Sequence, residues 1–252
     1  MDLCKMTSLN YRIIGPSDGI PIVFLHAVCV SSWMWEKFLP QLPNVKALLI
    51  DLPGHGSSAD IPWVSLEQTA QQVLSIVKDE FKGGGHLVGI SLGSYVGLTL
   101  LAENPKMFHS AFLSGMHDGG MKKRGLMKIM SLFLAPLATT SFFARKNAAS
   151  LGIEPDQIDG YVSAASQTKP MAFMRATNDV VDFEMPIGVT EIETKVKFVS
   201  GDREHALIKG ATDKLAKTVP SGSSLFVPDG GHGWPSRKPD YFVEQVLQHI
   251  SQ

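Results

Sequence analysis

Six short apolar runs recur along this chain, and their alternation with helix-length segments restricts the fold more than any other feature. They are "IPIVFLH" (20–26), "VKALLID" (45–51), "GHLVGI" (85–90), "FHSAFLSG" (108–115), "KVKFVSG" (195–201) and "SSLFVP" (223–228), each closed by turn residues. Runs of this length are too short for core helices, and their near-continuous apolarity suits strands buried on both faces. "YRII" (11–14) reads as an outer strand. Between the runs, "SLEQTAQQVLSIVKDEF" sets Leu66, Ala70, Val73, Val77 and Phe81 on one helical face, with Ser65 and Gln68 resembling a capping box. Phe242, Val246 and Ile250 repeat at helical spacing near the end of the sequence. The pattern predicts an α/β fold, a mostly parallel central sheet with helices on both faces.

The alternation stops between His117 and Thr194, where methionines (Met121, Met127, Met130, Met171, Met174) and the pair Phe142-Phe143 accompany helical segments. Residues 119–187 are therefore expected to form a small helical cap inserted into a core made of 1–118 and 188–252. Such methionines serve either as flexible core filler or as an adaptable apolar wall. A length of 252 residues accommodates one such core and a modest insertion. The formal charge of −1 argues against a polyanion partner, so no nucleic acid is expected. The basic stretch "MKKRGLMK" (121–128) reads as a solvated helix face. The run from Ile129 to Ala138 is far shorter than the ~20 residues a membrane span needs. Two cysteines, Cys4 and Cys29, are too few for a disulfide framework or a structural zinc site, and "MDLCKMTSLN" lacks the pattern of a secretion signal. A reducing, cytoplasmic setting is expected; nothing in the sequence sets an oligomeric state.

The chemistry centres on Ser91, held between Gly89 and Gly93 at the seam between a strand pattern and a helix pattern. A serine at the apex of so tight a turn presents its hydroxyl above the sheet. It needs a base, and His232, in the Gly-rich loop "PDGGHGWP" after the last strand, is the candidate among eight histidines. His26, His55, His86, His109 and His117 sit in or beside other strands and loops, while His205 and His249 read as helical. A carboxylate must orient the imidazole, and Asp202 and Glu204 both stand after "KVKFVSG". Residues two apart on a strand share a face, so the pattern leaves both open. Asp118, after the 108–115 run, is a more distant alternative for the acid, and Cys29 for the nucleophile. Backbone N–H groups of Leu92 and of Val28, in the loop after "IVFLH", are the candidate donors to a developing oxyanion. Ser31 or Ser32 would cap a helix carrying Trp33, Trp35 and Phe38.

Taken together, "FLHAVCVSSWMW", "LLIDLPGHGSS", "LVGISLGSYVG", "VKFVSGDRE" and "PDGGHGWP" resemble, in order and spacing, the α/β-hydrolase fold family, in its compact esterase-like form with a helical cap. The resemblance covers nearly the whole chain outside the cap. It implies the order nucleophile, acid, histidine, met here by Ser91, Asp202 or Glu204, and His232. It favours Glu204, third after Gly201. Two positions depart from the pattern: Ala27 follows His26 where relatives carry glycine, adding a Cβ to the oxyanion loop, and glutamate replaces the commoner aspartate. The function implied is a serine hydrolase of carboxylic esters or related acyl compounds, a small-molecule substrate, with no metal and no cofactor. Carbon–carbon bond hydrolysis or perhydrolysis with the same residues is the alternative, and a non-catalytic ligand-binding member of the fold is the reading from another class.

Overall fold

The computed structural model describes residues 8–251, so Cys4 lies outside the described residues. The outer segment and the six apolar runs each form a strand: β1 (Tyr11–Ile14), β2 (Ile20–Leu25), β3 (Val45–Ile50), β4 (His86–Ile90), β5 (Ser110–Ser114), β6 (Lys195–Gly201) and β7 (Gly222–Val227). They make one sheet in the order β1-β3-β2-β4-β5-β6-β7. Only β1 is antiparallel to its neighbour β3; the remaining pairs are parallel, with Val23 opposite Leu48 and Leu87. A parallel pair needs a crossover; short 3₁₀ turns join β2 to β3, and helices supply the later crossovers, α1 (Leu66–Glu80), α2 (Leu92–Glu103), α3 (Arg124–Ala138), α4 (Ser141–Asn147), α5 (Ile158–Gln167), α6 (Pro170–Asp182) and α7 (Ala206–Thr218), while α8 (Trp234–Arg237) and α9 (Pro239–Ile250) follow β7.

Strand alternation divides the apolar side chains between two cores. Val23, Leu25, Leu48, Leu87, Leu113 and Phe198 face one side, under the buried stripes of α1, α2 and α7. Ile22, Phe24, Leu49, Val88, Phe112 and Val199 face the other, under Trp234, Phe242 and Val246 of α8 and α9. Ser65 Oγ accepts the N–H of Gln68 at 3.2 Å and starts α1, whose Leu66, Ala70, Val73, Val77 and Phe81 are all buried. The helix expected around Trp33, Trp35 and Phe38 is shorter: a 3₁₀ turn spans Ser32–Trp35, with Ser31 Oγ accepting from Trp33 N, and Phe38 lies beyond it. His205 precedes α7 as its cap instead of lying within a helix, whereas His249 is inside α9.

Between β5 and β6 lie α3, α4, α5 and α6, with short 3₁₀ turns between and after them. A third apolar cluster ties them to the body, with Cys29 and Val30 packed among Ala135, Ala138, Ala144, Tyr161 and Phe173. Among the described residues no single helix is long and apolar enough to cross a membrane.

Candidate active site

Ser91 stands between the end of β4 and the start of α2 at φ 52° and ψ −116°, a region that L-residues rarely occupy. Its flanking glycines explain how the turn closes. A Cβ on Gly93 would fall 2.1 Å from the Leu25 carbonyl oxygen, and one on Gly89 would fall 2.6 Å from that of Gly93. The first turn of α2 therefore crosses the backbone of β2 and β4 at a distance that excludes any side chain. The strained residue is held by its own N–H, which donates to the Ser114 carbonyl at 2.8 Å, and by Ser94, whose hydroxyl lies 2.8 Å from both the Gly89 and Ser114 carbonyls.

From this turn the Ser91 hydroxyl reaches His232 Nε2 at 3.0 Å. On the far side of the ring, Nδ1 hydrogen-bonds Glu204 Oε1. The carboxylate is buried, and its second oxygen accepts the N–H of Gly201 at 3.1 Å. The Glu204 N–H in turn donates to the Gly201 carbonyl at 3.2 Å, so the chain doubles back after β6 and absorbs the extra methylene of glutamate. Asp202 does not join this array. It is exposed, its N–H donates to Val227 O, and its carbonyl accepts from Lys209 Nζ. Asp118 is engaged elsewhere, paired with Lys214.

Val28 is half-buried on the loop after β2, and Leu92 is the first residue of α2, where no intrahelical acceptor exists. Among the described residues neither N–H donates to a protein acceptor. Cys29, next to Val28, is buried at φ 58°, and burial pushes its thiol up to about 12, which keeps it protonated and poorly nucleophilic at neutral pH. Three other histidines, His26, His55 and His117, have structural partners. His26 Nε2 accepts from Leu52 N at 2.9 Å, and its Nδ1 lies 2.7 Å from the Ala27 carbonyl, to which it donates. His55 Nδ1 lies 2.9 Å from the Pro53 carbonyl, and burial pushes this ring down to about 3. His117 Nδ1 accepts from Gly119 N, leaving Nε2 to donate to Val180 O, and burial lowers its pKa.

Two cavities meet at Ser91 and His232. One, of about 600 Å³, is walled by Tyr95, His117, Met121, Met127, Val180 and Leu207. The other, of about 300 Å³, is walled by Val28, Leu134, Ala138, Phe143, Tyr161 and Phe173. An apolar wall over the site built from Met127, Met130, Phe133 and Phe142 is the natural reading of the sequence of 119–187, but of these only Met127 lines a cavity, joined by Met121 and Phe143, whereas Met130, Phe133 and Phe142 are 59%, 72% and 75% exposed. Helical geometry is the reason: Met130 and Phe133 lie on the side of α3 opposite Ser131, Ala135 and Ala138, the residues that turn inward. Sequence reasoning missed Tyr95, one helical turn after Ser91, whose phenolic oxygen accepts the His117 N–H at 2.9 Å and fixes the wall of the larger cavity. The i, i+4 spacing from Ser91 was the available signal. It also missed Gly115, at φ 77°, where a Cβ would lie 2.9 Å from His232 Cε1. Among the described residues no group of His, Cys, Asp or Glu is placed to hold a metal ion.

A model of the Alpha/beta hydrolase family matches residues 22–245. The chain is 26% identical over 255 residues to an AB hydrolase superfamily protein of Gibberella zeae, covering 97% of this chain and 84% of that protein. It is 30% identical over 252 residues to a pimeloyl-(acyl-carrier protein) methyl ester esterase of Nitrosomonas europaea, covering 94% and 98%. In fold it is similar to the enol-lactonase from Burkholderia xenovorans LB400, with a TM-score of 0.82 at 18% identity, covering 97% of this chain and 96% of that one.

Proposed function

We propose, from the premise that the chain belongs to the alpha/beta hydrolase family, that it is a serine hydrolase cleaving carboxylic esters or related acyl compounds through an acyl-enzyme on Ser91. The observation that carries this reading is the continuous chain Ser91–His232–Glu204 at the meeting point of two apolar cavities. As Ser91 Oγ attacks the carbonyl carbon, its proton passes to His232 Nε2. The positive charge on the imidazole is balanced by Glu204, which also holds Nδ1 as the protonated nitrogen. Negative charge moves to the carbonyl oxygen, where the free N–H groups of Val28 and Leu92 are the donors of the oxyanion hole. The tetrahedral species collapses, the leaving alcohol takes the proton from Nε2, and the acyl group stays on Ser91. Water then repeats the attack, giving its proton to Nε2, and the acid leaves as Ser91 recovers its hydrogen. No step calls for a metal or cofactor.

In this reading α3 to α6 form a cap that closes the cavities over Ser91. The similarity to a protein named as a methyl ester esterase supports an ester as the substrate. A reducing, cytoplasmic setting belongs to the same reading. A fluorophosphonate probe tests the nucleophile: wild-type protein is expected to label stoichiometrically, and folded Ser91→Ala to remain unlabelled and without esterase turnover. Labelling of Ser91→Ala, or an inert wild type, would overturn the assignment.

A further inference from the structure

The outer face of α3 has no partner within the chain. Leu126, Ile129, Met130, Leu132, Phe133 and Leu137 are 55% to 72% exposed. At 100° per residue they occupy one continuous arc of the helix. The opposite arc is fully engaged. Ser131, Ala135 and Ala138 are buried, Ser131 Oγ donates to Asn178 Oδ1 on α6 at 2.7 Å, and Lys128 and Arg124 pair with Asp182 and Glu184. Phe142 on α4, 75% exposed, extends the apolar surface around a bend of 106° between the two helices. Large apolar side chains this contiguous and this open mark an interaction surface.

Charge identifies what it fits. From Met121 to Asn147 the sequence carries six basic residues, Lys122, Lys123, Arg124, Lys128, Arg145 and Lys146, and no acidic one. Lys123 lies exposed just before α3, and Lys146 lies exposed near the end of α4, its Nζ 5.4 Å from the centre of the Phe142 ring. Cations therefore stand at both ends of the apolar surface. An apolar stripe bracketed by lysines is the make-up of a helix that lies in a lipid–water interface. Arg124, Lys128 and Arg145 are paired with Glu184, Asp182 and Asp159, which leaves the lysines at the two ends of the surface to set its charge, and a second copy of the chain is a poorer fit because self-association through this face would bring lysines onto lysines.

We infer that the outer face of α3 and α4 docks reversibly on anionic lipid surfaces, with the apolar arc entering the interface and Lys123 and Lys146 meeting the head groups. The helices lie on the surface without crossing it, since their inner faces are committed to the protein. The inner face of α3 carries Met127, Leu134 and Ala138 in the cavity walls, so the docked helix is also a wall of the cavities beside Ser91. The docking itself does not depend on the role of Ser91.

Sedimentation of the full chain with mixed phosphatidylcholine–phosphatidylglycerol vesicles, and with phosphatidylcholine alone, tests the inference. Binding to the mixed vesicles is expected, weakened by high salt and weak on the neutral ones. Neutralising Lys123→Gln with Lys146→Gln should lower the affinity about thirtyfold, each lysine near an anionic surface accounting for roughly a fivefold change. Phe133→Glu with Leu137→Glu should abolish binding while leaving the circular dichroism spectrum intact. Equal binding to neutral vesicles, or no binding to either, would overturn the inference. So would a dimer in analytical ultracentrifugation that the Phe133→Glu/Leu137→Glu chain fails to form, or vesicle binding that survives both double substitutions.

Discussion

Replacing Glu204 by glutamine keeps the shape of the side chain and removes one of its two acceptors. In the native arrangement both oxygens accept, Oε1 from His232 Nδ1–H and Oε2 from the Gly201 N–H at 3.1 Å. Glutamine offers one oxygen and one NH₂. If the oxygen stays on Gly201, the NH₂ faces Nδ1 and forces the proton to Nε2, the nitrogen that must accept from Ser91. If the amide turns over, the correct tautomer is kept, but two donors oppose each other at Gly201 in a buried position. The second state costs about 1–3 kcal/mol for the unsatisfied groups, so the wrong tautomer prevails. Loss of the orienting acid in a serine triad lowers kcat by ~10⁴, equivalent to ~5.5 kcal/mol of transition-state stabilisation. The assay is p-nitrophenyl ester hydrolysis by folded Glu204→Gln beside Asp202→Asn, whose carboxylate lies outside the array and whose rate should fall little. Glu204→Gln within tenfold of the wild type, with Asp202→Asn inactive, would refute the reasoning.

Gly115→Ala should cost about 1–2 kcal/mol in the left-handed backbone and place a Cβ 2.9 Å from His232 Cε1, displacing the ring, so kcat should fall about a hundredfold in a folded protein; an unchanged kcat would show that the ring has room to move. In a p-nitrophenyl ester series, butyryl and hexanoyl should exceed acetyl in kcat/KM by roughly tenfold per two methylenes, because the cavity of about 300 Å³ behind Val28 is walled by Leu134, Tyr161 and Phe173; a steady fall from acetyl upward would mean that these side chains close the space. Acid should destabilise the fold below pH 6.5. His55 is pushed down to about 3 by burial, so between ~6.5 and 3 the unfolded chain binds a proton that the folded chain refuses, and stability falls by up to ~1.4 kcal/mol per pH unit. Urea titrations at pH 7 and pH 5 should differ by about 2 kcal/mol more for the wild type than for His55→Asn, and equal differences would remove His55 as the cause.

What the sequence showed and what it hid divide along one physical line. Features set by neighbouring residues were legible. The seven strands lie within two residues of the apolar runs, Ser65 caps α1 as its spacing with Gln68 implies, and Gly89 and Gly93 flank a serine turn that no larger residue could enter. The approach of His232 to Ser91, across 141 residues, was legible only because the order of motifs carried it. Between Asp202 and Glu204 the spacing of the motifs favoured Glu204, but periodicity could not decide, since strand alternation holds only while the strand continues. The Gly201–Glu204 turn ends it, sending Asp202 to solvent and Glu204 inward.

The insertion hid its orientation for a different reason. α3 has large apolar side chains on nearly every turn and around most of its circumference, so hydrophobicity alone does not say which side is inside. The small residues do. Ser131, Ala135 and Ala138 fall at i, i+4 and i+7, a stripe narrow enough for α6 to approach closely, and all three are buried. Close helix packing selects small side chains at the contact, which leaves the large ones at Met130, Phe133 and Leu137 on the outer side. Weighting the stripe of small residues above the stripe of large ones would have turned the helix the right way from its sequence. It would also have separated Met127, which faces a cavity beside Ser91, from Met130, three residues on and facing out of the protein.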